Sequence, residues 1–168
     1  SGANAYAGGT TISAGTVQGS TTSFGSGAIL DNAALVIDQP ADAAFANAIN
    51  GAGTFTKQGA GRLNFIGTGS LSGATRVAAG ILSVNGSLAQ SAVTVQSGGA
   101  LAGNGNVGAA TSLSGGTIAP GNSIGTLHIN GAFAQNAGSG YQVEVDPTSN
   151  ASDLVLGNGS ATIASGAT

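Results

Sequence analysis

One histidine, six acidic residues, three basic residues and two tyrosines are the titratable side chains this sequence offers for chemistry; cysteine is absent. Nucleophilic catalysis needs a hydroxyl or thiol beside a base, with a third group to orient that base. His128 is the sole histidine, set between Leu127 and Ile129. Alternation of that kind turns His128 to the face opposite its aliphatic neighbours, toward solvent. A serine beside it carries no information in a chain so rich in Ser and Thr. Glu144 and Asp146 lie two apart on one outer face, and Asp31, Asp38 and Asp42 form a looser acidic group. Paired carboxylates serve glycosidic cleavage, and a polysaccharide-acting β-helix enzyme is the catalytic alternative. Sugar sites add aromatic platforms, however, and the five Phe and two Tyr are scattered, most of them at core-type positions. Solvated surface is the favoured reading of both acid groups.

Metal and phosphate motifs fare no better. GGALAGNGN at 98–106 approaches a calcium-binding nonapeptide but lacks its Asp, and oxygen-ligand sites need several converging carboxylates. GNGNVG at 103–108 lacks the third glycine and the following helix of a phosphate loop, and reads as a turn. Lys57, Arg62 and Arg76 are too few to track a nucleic-acid backbone. The expectation is therefore a non-enzyme with no catalytic, cofactor-binding or metal residues and no nucleic-acid partner.

The elements that carry these residues follow from composition. Charged residues are 5% of the chain and hydrophobic ones 41%, while glycine numbers 31 of 168. That charge content is far below the roughly 25% of ordinary domains. Disorder would require the reverse balance, and glycine lacks the three-residue period of collagen. A stack of short strands joined by tight glycine turns fits, with Ser, Thr and Asn outside and apolar pairs inside. Zero cysteine means that no folding step depends on oxidation. No apolar run is long enough to span a membrane as a helix, and the start SGANAYAGG lacks the basic and apolar regions of a signal peptide.

Repeats point the same way. GGTTISAGTV at 8–17 aligns with GATRVAAGIL at 73–82, matching Gly8/Gly73, Thr10/Thr75, Ala14/Ala79 and Gly15/Gly80, with a looser copy at 114–122. Period-2 pairs occur at Leu63/Phe65, Leu82/Val84, Val93/Val95, Leu127/Ile129, Tyr141/Val143/Val145 and Leu154/Leu156. Alternation turns Asn64, Ser83, Thr94, His128, Gln142 and Glu144 outward. Asn-Gly turns at 50–51, 85–86, 130–131 and 158–159 bound most of these runs. The pairs start 11 to 34 residues apart, too irregular for a sandwich or barrel. Asp42 to Ile49 has helix-forming composition but reads as strand plus turn.

At 49–86 the sequence INGAGTFTKQGAGRLNFIGTGSLSGATRVAAGILSVNG resembles the passenger-associated transport repeat of autotransporter proteins. The residues that carry the resemblance are Gly51/Gly53, Lys57, Gly59-Ala60-Gly61, Leu63/Phe65, Ser72-Gly73, Thr75, Ala79-Gly80 and Leu82/Val84. Residues 3–17 look like the second half of a preceding copy, and 114–133 with 140–166 resemble the end of such passengers.

The resemblance implies an all-β, right-handed parallel β-helix of roughly seven or eight coils over 1–168. It further implies a repeat at 49–86 and a C-terminal passenger segment at 114–168 that supports folding. The implied function is a structural and translocation-supporting section of a secreted or surface-displayed passenger from a Gram-negative bacterium, belonging to an adhesin or virulence factor. The implied partner is the C-terminal outer-membrane barrel of the same precursor. A ligand-binding adhesive module, contacting host or neighbouring-cell surfaces, is the non-catalytic alternative. Lys57 and Arg62 flank the 59–61 turn either as a secretion hallmark or for solubility and protection against edge pairing. Cut solenoid ends predict weak end-to-end association, and the apolar pairs at 124–156 predict the best-protected core there.

Overall fold

The computed structural model describes residues 3–168, and Ser1 and Gly2, where the repeat texture of the N-terminal edge begins, lie outside the described residues. Among the described residues the chain is a parallel β-solenoid of 21 strands, each two to five residues long, with no helix. The stretch from Asp42 to Ile49 forms strands Ala43–Phe45 and Ile49–Asn50 around a turn, as the sequence suggested. Phe45 is the reason: it lies in register with Phe65 of the next coil and is buried. Burying a large aromatic outweighs the few tenths of a kcal/mol per residue that helix propensity supplies.

Each coil visits three faces in a fixed order. In one coil, Thr54–Gln58 lies on the first face, Arg62–Phe65 on the second, and residues 68–71 reach the third through the parallel bridges Thr68↔Ser87 and Gly51↔Leu71. The first face is an eight-stranded sheet running from Thr16–Gly19 to Ala161–Ile163, and the second a six-stranded sheet from Ala43–Phe45 to Gly140–Tyr141. The third face is split into a three-stranded and a four-stranded sheet. All pairings between these strands are parallel. Eight strands make seven steps, a stack of about 34 Å at ~4.8 Å per step. That agrees with the expected seven or eight coils.

Coil length varies from 17 residues, between Val93 and Ala110, to 28, between Phe133 and Ala161. The extra residues leave the stack as excursions at 121–125 and 142–153, while the inward rows stay in register. Those rows form one continuous core. Phe24, Phe45 and Phe65 stack on successive coils with ring centroids 6.1 and 6.4 Å apart, and Phe55 meets Phe65 at 6.5 Å. Leu63, Leu82, Leu101 and Ile118 continue along the second face, all fully buried.

The C-terminal part departs from the sequence reading. Leu127 and Ile129 are buried as expected, and Phe133 and Tyr141 are half-buried. Val143 and Val145, however, are 41% and 67% exposed, and Leu154 and Leu156 are 49% and 52% exposed. Only Gly140–Tyr141 joins the stack; beyond it the chain makes a protruding hairpin, closed by the antiparallel bridge Val145↔Ser152. In Leu154–Gly157 the register sets Val155 beside Leu127, so Val155 turns inward and both leucines turn out. The alternation was real, but the register fixed the opposite face. The 97–112 stretch, mostly Gly, Ala, Ser and Thr, buries Leu101, Ala102, Val107 and Ala110.

Candidate functional site

Of the acidic residues that might have formed a reactive group, Asp38, Asp42 and Asp146 each sit in a separate hydrogen-bond network. Asp38 accepts from Gln18 and Gln58 side-chain amides at 3.1 Å each, an outer ladder across three coils. Asp42 accepts the backbone N–H of Arg62 at 2.8 Å. Asp146 closes the tip of the 142–153 hairpin by accepting from the Thr148 N–H and hydroxyl and from Ser149. Those bonds hold its carboxyl below the usual aspartate range. Glu144 is exposed on the same hairpin, with no ladder partner to fix it beside Asp146. His128 faces outward from Thr126–Ile129, half-buried, as the sequence placed it. No group of three or more His, Cys, Asp or Glu could hold a metal among the described residues.

Asp31 is the exception to the surface reading of these acids. It ends the strand Ile29–Asp31 with its side chain turned inward and fully buried. Its Oδ1 accepts the Ala33 N–H at 3.1 Å, while Oδ2 has no partner. Burial raises its pKa, against the lowering pull of the Ala33 and Leu35 N–H groups. A raised folded-state pKa gives stability that is present at low pH and lost as pH rises through that value. Asp31→Asn keeps the Oδ1 acceptor without the buried charge. It should raise stability at pH 7 by about 1 kcal/mol, a gain that shrinks as pH falls toward 4. Urea midpoints across that range check this, and a loss of stability at pH 7 counts against it.

Lys57 corrects the reading of the 59–61 turn more sharply. Neither solubility nor edge protection accounts for it, because its side chain is fully buried. The strand Thr54–Gln58 turns Phe55 and Lys57 inward, and the register puts Lys57 in one row with Ile37 and Val77. Its Nζ donates to the Gly59 carbonyl of its own coil at 2.7 Å and to the Ala79 carbonyl of the next at 2.9 Å. The ammonium thus ties the Gly59-Ala60-Gly61 turn to the Ala79-Gly80 turn stacked on it. Arg62, by contrast, stays half-exposed on the outer face.

Burial lowers the pKa of Lys57, and Asp38 and Asp42 oppose that shift. The depressed folded value means stability rises with pH between it and the unfolded value, about 10.4. The chemistry agrees: a neutral amine retains two N–H groups for the two carbonyls and sheds the cost of a buried charge. Wild type should therefore gain stability relative to Lys57→Met between pH 7 and 10.5. Urea midpoints that track each other in parallel across that range would count against this.

Outer-face polar groups form a second constellation that alternation alone did not show. Ser83 turns outward, as expected, yet is fully buried. The 121–125 excursion folds over it, and its hydroxyl donates to Asn122 Oδ1 at 2.7 Å. Asn122 Nδ2 donates to Asn85 Oδ1 at 2.7 Å, and Asn85 Nδ2 donates to Asn64 Oδ1 at 2.7 Å. Pro120-Gly121-Asn122-Ser123 was the available signal, a turn sequence interrupting a strand pattern. At the C-terminal end, Phe133, Tyr141, Val155 and Ile163 line a cavity of about 270 Å3, and Gln135 Nε2 faces it without a partner.

Comparison with known proteins agrees with the repeat reading. The Passenger-associated-transport-repeat family matches residues 1–18 and 55–84, the second within the 49–86 segment. An extracellular serine protease of Serratia marcescens is 43% identical over 101 residues, 60% of this chain and 10% of that protein. A second extracellular serine protease of the same organism is 39% identical over 102 residues, again 10% of its length. The adhesin BmaC autotransporter of Brucella suis is 36% identical over 118 residues, 68% of this chain and 3% of the adhesin. The chain thus spans about a tenth or less of these relatives.

Proposed function

We propose that this chain, an autotransporter passenger section by its transport repeats, serves as structural scaffold and as support for folding and translocation. The observation that carries the reading is the unbroken parallel stack. Eight strands in one sheet run along a single continuous core of buried apolar side chains. A solenoid of this kind grows coil on coil, each needing only its neighbour, and without cysteine it needs no oxidant. It suits a chain that emerges through an outer membrane and folds outside, whether displayed on the cell or released. The partner is the C-terminal barrel of the same precursor, and 114–168 supports folding through the buried anchors Ile118, Leu127 and Ile129. The parent's own activity, adhesive or proteolytic, lies beyond this section.

Fusing the chain upstream of an autotransporter barrel tests the role. Intact coils should give surface display, and coil-breaking substitutions should arrest it; display indifferent to coil integrity removes the folding-support reading. His128→Ala should change neither folding nor display, because the ring leaves the solenoid from an outer position. A hydrolytic activity lost on that substitution would establish an enzyme instead. Both ends of the eight-stranded sheet pair on one side only among the described residues, so copies should associate weakly end to end. Sedimentation that stays monomeric at millimolar concentration opposes this.

A further inference from the structure

Five Asn-Gly pairs occur in the chain, at 50–51, 85–86, 104–105, 130–131 and 158–159. An asparagine before glycine can react with its own main chain, because glycine has no side chain to keep its nitrogen from the asparagine Cγ. Within a fold, two conditions govern the reaction. The carboxamide must be free to turn, and the attacking N–H must not be held in a hydrogen bond. Asn50 is half-buried, and its Oδ1 accepts the Ser70 N–H and hydroxyl at 3.0 Å each. Asn85 is half-buried beside the 121–125 excursion. Its Nδ2 donates to Asn64 Oδ1 and its Oδ1 accepts from Asn122 Nδ2, at 2.7 Å each. The Gly86 N–H donates to the Phe65 carbonyl at 2.9 Å. Asn104 is exposed, but Gly105 is buried and its N–H donates to the Val84 carbonyl at 2.8 Å.

Asn130 and Asn158 meet both conditions. Both are exposed, and neither side chain makes a hydrogen bond among the described residues. Neither the Gly131 nor the Gly159 N–H is donated to another backbone or side-chain group among those residues. Ile129 pairs with Gly157, so the two asparagines follow in register on successive coils. Ile129 points inward, and alternation turns the residue after it outward. The coil that carries Asn158 lies on the coil that carries Asn130, yet Asn130 stays exposed. Exposure of this column therefore belongs to the outer face and not to the edge of the stack.

We propose that Asn130 and Asn158 are sites of spontaneous deamidation and isoaspartate formation. The Gly159 nitrogen, its proton taken by hydroxide, attacks Asn158 Cγ and closes a succinimide ring. The bond from Cγ to the side-chain nitrogen breaks, and that nitrogen takes a proton from water and leaves as ammonia. Water then opens the ring at either carbonyl, giving aspartate or isoaspartate, so the net exchange is water in and ammonia out. Gly131 acts on Asn130 in the same way. Isoaspartate inserts a carbon into the main chain, and the turn at 158–159 has little room for it. Even a Cβ on Gly159 would lie 2.4 Å from the Gly131 carbonyl carbon and oxygen. The flanking strands Leu154–Gly157 and Ala161–Ile163 must then loosen from the coil on which they stack.

The test holds the full chain in mildly alkaline buffer, native and in parallel in urea, and follows each pair by peptide mass and isoaspartate-specific methylation. In the native chain Asn130 and Asn158 should convert roughly tenfold faster than Asn50, Asn85 and Asn104, where bonds of the fold must break first. In urea the five rates should converge, since each is the same Asn-Gly pair. Asn158→Gln keeps an outward carboxamide but would need a larger ring, and should abolish conversion at its own site alone. Amide exchange across 154–163 should quicken as isoaspartate accumulates at 158, and stay constant in Asn158→Gln. Equal native rates at all five pairs, or Asn104 converting as fast as Asn158, overturn the proposal. So does a ranking that persists unchanged in urea, which would assign the difference to neighbouring residues rather than to the fold. Exchange unchanged by accumulated isoaspartate overturns the loosening of the coil.

Discussion

Gly73→Ala lowers the urea midpoint by about 1.5–2.5 M, the expectation for roughly 3–5 kcal/mol at an m-value of ~2 kcal/mol/M. A Cβ at Gly73 would sit 1.7 Å from the Gly53 carbonyl oxygen and 2.7 Å from that of Ala52. Both are backbone atoms of the coil beneath, and neither can swing aside as a side-chain tip could. The coils would have to part by more than an ångström, against backbone hydrogen bonds such as the Ser72 N–H to the Gly51 carbonyl at 2.8 Å. Close packing resists local expansion of that size. Gly8→Ala is the control, since no atom lies within 4 Å of a Cβ there. The urea midpoints of the two variants should differ by nearly the whole effect. Equal midpoints would mean the stack is looser than its geometry shows, and Gly73→Ala is also the substitution of choice for arresting display.

Phe65→Ala should cost about 3–5 kcal/mol. Its ring is fully buried and meets Phe45 and Phe55, so truncation opens a cavity at the junction of two faces. Leu156→Ala and Val145→Ala, with half or more of each side chain in solvent, should stay within about 0.5 kcal/mol. Amide exchange should follow the same gradient, slowest across 35–37, 55–65 and 82–84 and faster across 141–163. This reverses the ranking that the density of apolar pairs at 124–156 suggested. Exchange slowest at 141–163 would restore that ranking and locate the folding nucleus there.

The reversal shows where pattern and structure part. Period-2 pairs, Asn-Gly turns and scarce charge were enough to read a stacked-strand solenoid, and Leu63/Phe65, Leu82/Val84 and Val93/Val95 point inward as read. The reactive asparagines were not legible: the Asn-Gly pairs are alike in sequence, and only the exposure and hydrogen bonds of the folded chain set Asn130 and Asn158 apart.

Gly8 and Gly73 are matched positions of one repeat, alike in sequence, yet a Cβ is free at the first and blocked by backbone at the second. Leu154-Val155-Leu156 offers a strand on either face, and pairing with Thr126–Ile129 alone selects Val155 for the interior. Lys57 carries the residue type of a surface turn, but its row places it between Ile37 and Val77, where two carbonyls receive the ammonium. Local sequence determines that a segment is a strand and that its side chains alternate, because both follow from backbone geometry within a few residues. Which of the two faces is inside depends on the register against neighbouring coils some 20 residues away, and a shift of one residue inverts it. That choice belongs to the tertiary structure.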